Sequence, residues 1–430
     1  MILKEVKSNR IGDKYFYVEH SSGLRVFVYP KKGYNSTYAI IGTKYGSINT
    51  SFKSCGKCDV TRVPDGIAHY LEHKLFESED GDAFAKYAKT GACANAYTSF
   101  DMTCYLFSCT EKFEESLKIL LDLVQSPYFT DENVEKERGI IGQEIKMYDD
   151  DPSWRVMFNL LDAMYHNHPV KVDIAGTIES IAQINPENLY KCYNDFYNPN
   201  NMVLCVAGNV RPEDVFRIVD EAIKPNANKV PECIFPDEPY NVVTDRVEQH
   251  FEIAMPTFQL GFKEKVRKER VTDEQLAQTD IILQSLASKS SKLYKKLLDE
   301  NLINDSFGYE YFEGVGYAAV IFSGESKDPD KAAKIIKEAI EELHKTGINK
   351  EEFDRAKKLV YGRNVAMLNS PENISNAMMN LTFANRELFH AIECIANTTL
   401  EQVNDRLKHQ LDNKNSSLSV VLPMPGKEEK

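Results

Sequence analysis

Nowhere in its 430 residues does this chain hold a long apolar run. Roughly 18 or more such residues would be needed to span a bilayer as a helix, so membrane insertion is not expected. Positive charge is also short: 52 Lys and Arg stand against 65 Asp and Glu, a net charge of −13 and a pI near 5.3. With no long basic run to offset that balance, nucleic acid and anionic membrane surfaces are not the expected partners. Cysteines number nine, an odd count scattered over a large chain, which argues against a disulfide framework. The start, Met1-Ile2-Leu3-Lys4-Glu5-Val6-Lys7, turns polar at once and has no apolar core of signal-peptide length, so the expected location is the cytoplasm. The remaining composition, 42% hydrophobic and 27% charged, is that of a globular protein long enough for two or three domains.

What is present begins with a sheet. Tyr15 to Glu19, Leu24 to Tyr29 and Ser36 to Thr43 alternate as paired strands do. A loop follows, containing Cys55-Gly56-Lys57-Cys58 and ending at Pro64-Asp65-Gly66, with Asp65 placed to cap a helix. Helices are expected over Asp82 to Thr90, Phe113 to Val124, Asp131 to Tyr148, Trp154 to Tyr165 and Pro186 to Tyr197. The apolar run Met202 to Ala207 reads as a buried strand that closes the first sheet. Residues 225–242 carry Pro225, Pro231, Pro236 and Pro239 without periodicity and read as a linker between domains at 1–224 and 243–430. The second half runs again through strands (Gln249 to Phe262), a helix (Asp273 to Glu300), strands (Ser306 to Gly324), helices and a last strand (Leu418 to Leu422). The predicted fold is therefore α+β: two related domains, each an antiparallel-rich sheet with helices mainly on one face.

The chemistry concentrates in Gly66-Ile67-Ala68-His69-Tyr70-Leu71-Glu72-His73. On a helix His69 and His73 project together, being four apart, and both imidazoles can hold one metal ion. Glu72 lies beside them, able to take a proton from water activated there. Glu137 and Glu144, seven apart on a later helix, face the same way, and Glu144 offers a third ligand. Two histidines and a carboxylate with one position open is a catalytic rather than a structural zinc arrangement. Cys55 and Cys58 have no second Cys-x-x-Cys and read as loop thiols; His166 and His168 read as helix-end and turn residues.

The His-x-x-Glu-His order is that of the inverzincins. With Asn95-Ala96-Tyr97-Thr98-Ser99, Glu137-Arg138-Gly139-Ile140-Ile141-Gly142-Gln143-Glu144, His168-Pro169 and Gly176-Thr177 following in order, the chain resembles the family of pitrilysin, insulin-degrading enzyme and mitochondrial processing peptidase, in its short bacterial branch. The resemblance implies a zinc metallo-endopeptidase with one Zn2+ per chain, His69, His73 and Glu144 as ligands, Glu72 as general base and Glu137 as the family's supporting second glutamate. It also implies an edge strand at Asn95, Ala96 and Tyr97 that binds an extended peptide substrate by strand addition, and a clamshell chamber formed by two such chains. One departure stands out. Where self-sufficient members carry an Arg and, seven residues later, a Tyr that stabilise the substrate carbonyl, this chain places Asn301 and Gly308, and no arginine lies between Arg270 and Arg355. Tyr309 and Tyr311 are the nearest phenols. The expectation is a heterodimer whose related partner supplies that pair, with a homodimer as the alternative assembly and a non-catalytic peptide-binding or scaffold subunit as the alternative function.

Overall fold

The computed structural model describes residues 3–56, 58–79, 81–224, 229–265 and 269–425. Seven strands, β1 (Lys4–Lys7), β2 (Lys14–Glu19), β3 (Arg25–Pro30), β4 (Thr37–Thr43), β5 (Cys93–Thr98), β6 (Thr103–Cys109) and β7 (Met202–Gly208), form one sheet in the order β1-β2-β3-β7-β4-β6-β5. Five more, β8 (Arg246–Phe251), β9 (Thr257–Lys263), β10 (Gly308–Gly314), β11 (Tyr317–Glu325) and β12 (Ser416–Pro423), form a second in the order β8-β12-β9-β11-β10.

The two sheets repeat one topology. In the five strands that correspond, β3-β7-β4-β6-β5 and β8-β12-β9-β11-β10, the latest in the chain inserts beside the earliest in parallel (β7 on β3, β12 on β8), and every other pairing is antiparallel. The duplicated unit inferred from element order is thus visible in the strand order. β7 was expected to close its sheet; instead it lies at the centre, between β3 and β4. Burial explains the placement, because all seven of its residues are buried, and an apolar run without alternation needs cover on both faces.

Helices α1 (Ile67–Lys74), α2 (Asp131–Asp149), α3 (Pro152–Met164), α4 (Asp273–Ala287), α5 (Pro371–Phe383) and α6 (Leu388–Asn397) carry most of the features of interest. The helix expected over Asp273 to Glu300 is two: α4 ends at Ala287, and a new helix, Lys292–Asp299, is capped by Ser291, whose hydroxyl accepts from the Tyr294 amide. Ser288-Lys289-Ser290-Ser291 supplies a cap where periodicity alone reads through.

Two compact units result, each discontinuous in sequence. The first is Met1–Ile145, Val172–Ile234 and Val365–Phe389; the second is Lys146–Lys171, Phe235–Asn364 and His390–Lys430. α5, late in the chain, packs in the first unit on β7 and β4, and α3, early in the chain, packs in the second on β12 and β9. The sequence halves 1–224 and 243–430 and the compact units are therefore different partitions of the chain. On β4, Gly42 faces Met379 and Phe383 of α5, while its neighbour Thr43 turns its hydroxyl the other way, to the Phe196 carbonyl. α5 thus covers the second face of that sheet.

Of the expected linker, 225–228 lie outside the described residues. The rest is pinned: Glu232–Cys233 pairs with Ser51–Lys53, and Glu238 accepts from the amides of His166, Asn167 and His168 and from the buried Lys263. Among the described residues no helix is long and apolar enough to cross a membrane.

Candidate metal centre

α1 starts without a side-chain cap. Asp65 was expected to supply one, but the N-cap is Gly66, held at φ 86°, and a Cβ there would meet the Ala175 carbonyl oxygen at 2.3 Å. Close approach of the two backbones replaces the cap, and only glycine permits it. The Asp65 carbonyl instead accepts from the Ser180 hydroxyl at 2.9 Å. Of the helix's eight residues all but His73 are buried. Ile67, Ala68, Tyr70 and Leu71 pack inward, and the Tyr70 hydroxyl donates to the Val134 carbonyl of α2, fixing α1 against the helix that carries the two glutamates.

The histidine rings lie 4.6 Å apart. Glu144 faces both: its carboxylate oxygens are 3.6 Å from His69 Nε2 and 3.4 Å from His73 Nε2. Those separations approximate the edges of a tetrahedron around an ion with bonds near 2.0–2.1 Å, which come to about 3.4 Å. Glu137 Oε1 lies 3.0 Å from His73 Nδ1. With Nδ1 donating to Glu137, Nε2 is the His73 nitrogen that faces Glu144, the usual way a carboxylate orients a metal-binding imidazole. His69 Nδ1, by contrast, is buried without a hydrogen-bond partner among the described residues. Glu72 joins the two histidines in a group whose donor atoms lie within 4.8 Å of one another, and the Thr98 hydroxyl donates to its Oε2 at 3.1 Å.

The electrostatics suit a cation. Burial works against charging His73, but hydrogen bonds to Glu137 and Glu144 and the charges of Glu72 and Glu144 outweigh it and hold the imidazole up at about 10. Burial pushes the Glu72 carboxyl above its ordinary range, against the pull of His69, His73 and Thr98. Two imidazoles lined by carboxylates are a hard-to-borderline donor set, and it fits zinc.

Two residues here were not anticipated from sequence. Lys74 is fully buried, bonds Glu77 and lies 3.7 Å from Glu137 Oε2. A lysine at the end of a helix reads as an ordinary dipole partner, so nothing local announces its burial. Thr98 had a signal, since it belongs to the Asn95–Ser99 segment already singled out.

β5 is the edge strand of its sheet, as the Asn95, Ala96 and Tyr97 reading requires, with Asn95 exposed and the other two half-buried. Thr98 ties the end of that edge to Glu72. The phenols of the second half are engaged elsewhere: Tyr309 donates to Gln284 at 2.9 Å, and Tyr311 accepts from Arg406 at 3.1 Å. Asn301 sits just past a helix end in the left-handed region at φ 53°, and Gly308 opens β10. Cys55 and Cys58 are exposed free thiols, and His168 is buried against Phe235 with its Nε2 3.0 Å from the Val315 carbonyl oxygen.

Residues 55–178 match the family model described as insulinase (peptidase family M16), and residues 183–360 match the one described as peptidase M16 inactive domain. The chain is 38% identical to the uncharacterized zinc protease YmfH of Bacillus subtilis over 98% of this chain and 100% of the relative. A crystal structure of an M16-like peptidase from Alicyclobacillus acidocaldarius superposes with a TM-score of 0.90 at 35% identity, covering 99% of both chains. The same fold occurs in part of pitrilysin, with a TM-score of 0.77 at 16% identity, covering 98% of this chain and 46% of that one.

Proposed function

Because the chain belongs to the insulinase family, peptidase family M16, we propose that it is a zinc metallo-endopeptidase cleaving peptides or unfolded segments. The observation that carries this reading is the Glu144 carboxylate facing both Nε2 atoms while Glu72 stands beside them. His69, His73 and Glu144 would hold one zinc ion, with Glu137 positioning His73. A zinc ion held there would supply Lewis acidity, acidifying water and polarising the scissile carbonyl. Glu72 takes the proton of the attacking water and passes it to the leaving amine nitrogen. An extended substrate pairs with β5 through Asn95, Ala96 and Tyr97, where backbone hydrogen bonds give affinity with little demand on sequence.

The carbonyl-stabilising Arg and Tyr are assigned to a second chain. Support comes from the absence of arginine between Arg270 and Arg355 and from the extent of the pitrilysin match, in which this chain accounts for 46% of a longer one. A related heterodimer partner is the leading assembly and a homodimer the alternative, either enclosing a peptide chamber. Nine free thiols suit a reducing compartment, the cytoplasm.

The test is hydrolysis of a quenched peptide library by the assembled protein, wild type against Glu72→Gln. Loss of about 10²-fold or more in kcat with zinc retained is the expected result. Equal rates would remove the enzyme reading and leave a peptide-binding or scaffold subunit.

A further inference from the structure

A second donor cluster lies in the other compact unit, and none of the chemistry above uses it. Asp273 opens α4 and His390 stands in the first turn of α6, with Asp273 Oδ2 2.9 Å from His390 Nδ1. One turn on, Cys394 Sγ lies 3.7 Å from the same Nδ1 and 3.7 Å from Glu274 Oε1. Donor atoms of Asp273, His390 and Cys394 all fall within 4.8 Å of one another. His390 and Cys394 repeat the i, i+4 spacing of His69 and His73, but with a thiol in place of one imidazole.

We infer that Asp273, His390 and Cys394, joined by Glu274, form a second, structural zinc site. Size supports it. With Zn–S near 2.3 Å and Zn–N or Zn–O near 2.0–2.1 Å, a tetrahedral site has ligand separations of about 3.3 to 3.6 Å. The three closest separations, 2.9 Å for Asp273 to His390 and 3.7 Å from Cys394 to His390 and to Glu274, bracket that range. Access supports it too: Asp273 and Cys394 are buried while Glu274 is exposed and the His390 side chain is 57% exposed, so an ion enters past the imidazole and the Glu274 carboxylate to reach Asp273 and Cys394. A thiolate, an imidazole and two carboxylates form a closed four-donor set, which favours a structural over a catalytic role, and the sulfur selects zinc over magnesium or calcium. On binding, the Cys394 thiol proton is released to solvent and the ion clasps the start of α4 to α6. This inference does not depend on the proposed peptidase activity.

Cobalt separates the two sites, because the first contains no cysteine. The protein is the full chain carrying Cys55→Ser and Cys58→Ser, stripped of metal and titrated with Co2+. The expected result is a thiolate-to-cobalt charge-transfer band in the near ultraviolet that is abolished by Cys394→Ser, weakened in affinity by about tenfold or more by His390→Ala, and retained in His69→Ala. Zinc added to the same protein should raise its unfolding temperature more than it does for Cys394→Ser. Absence of the band, or a band that survives Cys394→Ser, overturns the site and leaves a hydrogen-bonded Asp–His–Cys cluster. Hydrolysis and its Glu72 dependence are unaffected by either outcome.

Discussion

Lys74 shows how a buried charge can serve a site without touching it. Its ammonium has no exposure and faces Glu77 and Glu137, and Glu137 in turn holds His73. Replacing it by methionine keeps the volume but strands buried carboxylate charge, a loss of about 3–5 kcal/mol. Urea unfolding of Lys74→Met should show that destabilisation, with weakened zinc affinity in the fraction that folds. Thr98 acts on Glu72 more directly. Its hydroxyl stabilises the charged carboxylate, so Thr98→Val should raise the Glu72 pKa further. The base form is then lost at a higher pH on the way down, and the acid limb of the kcat/KM profile moves upward. A limb that stays in place would show that Glu72 does not set it.

Among the elements, α5 bears a load its position in the chain conceals. It buries Ile374, Met378, Met379 and Phe383 in the first unit. At about 1.5–3 kcal/mol for each large apolar side chain, the four together are worth about 6–12 kcal/mol, comparable to the stability of a typical domain. A fragment of residues 1–224 contains the whole metal motif but lacks this helix. Expressed alone it should aggregate or remain unfolded, and it should fold when co-expressed with the complementary fragment. Circular dichroism and solubility check this directly, and a stable isolated fragment would contradict it. α1 depends on a different kind of cover. Gly66 lets the backbone at Ala175 lie against the helix start, so the motif's geometry rests on a loop more than a hundred residues downstream.

For the molecule as a whole, the repeated strand order gives two edges of the same kind, β5 and β10, and β5 is tied to the His69–Glu72–His73 motif through Thr98. On the proposed assembly, a second chain is what the site would still need for catalysis. If the Arg and Tyr are borne by another chain, the purified protein alone should show at most a few per cent of the hydrolysis seen once its partner from the native cell is added. A removed oxyanion donor typically costs about 10²–10³ in kcat. Full activity of the chain alone, with its mass in solution that of a dimer, would favour the homodimer.

Much of this was legible because it is local. The His69–Glu72–His73 set follows from helical spacing, and α1 spans Ile67–Lys74 as the pattern predicts. Glu137 and Glu144 share a face for the same reason, and Thr37–Thr43 announces itself as a strand by alternation and Met202–Gly208 by its apolar content. Local cues failed where a backbone or a distant segment took over a local role, as Gly66 did for the Asp65 cap and as β7 did in entering the sheet's centre. Packing alone decided which imidazole nitrogen meets which glutamate, why Lys74 has no access to water, and which helix covers which sheet. It also brought Asp273 to His390, 117 positions apart. Periodicity and capping act over a few residues, whereas the meeting of distant side chains depends on how whole elements bury their apolar faces.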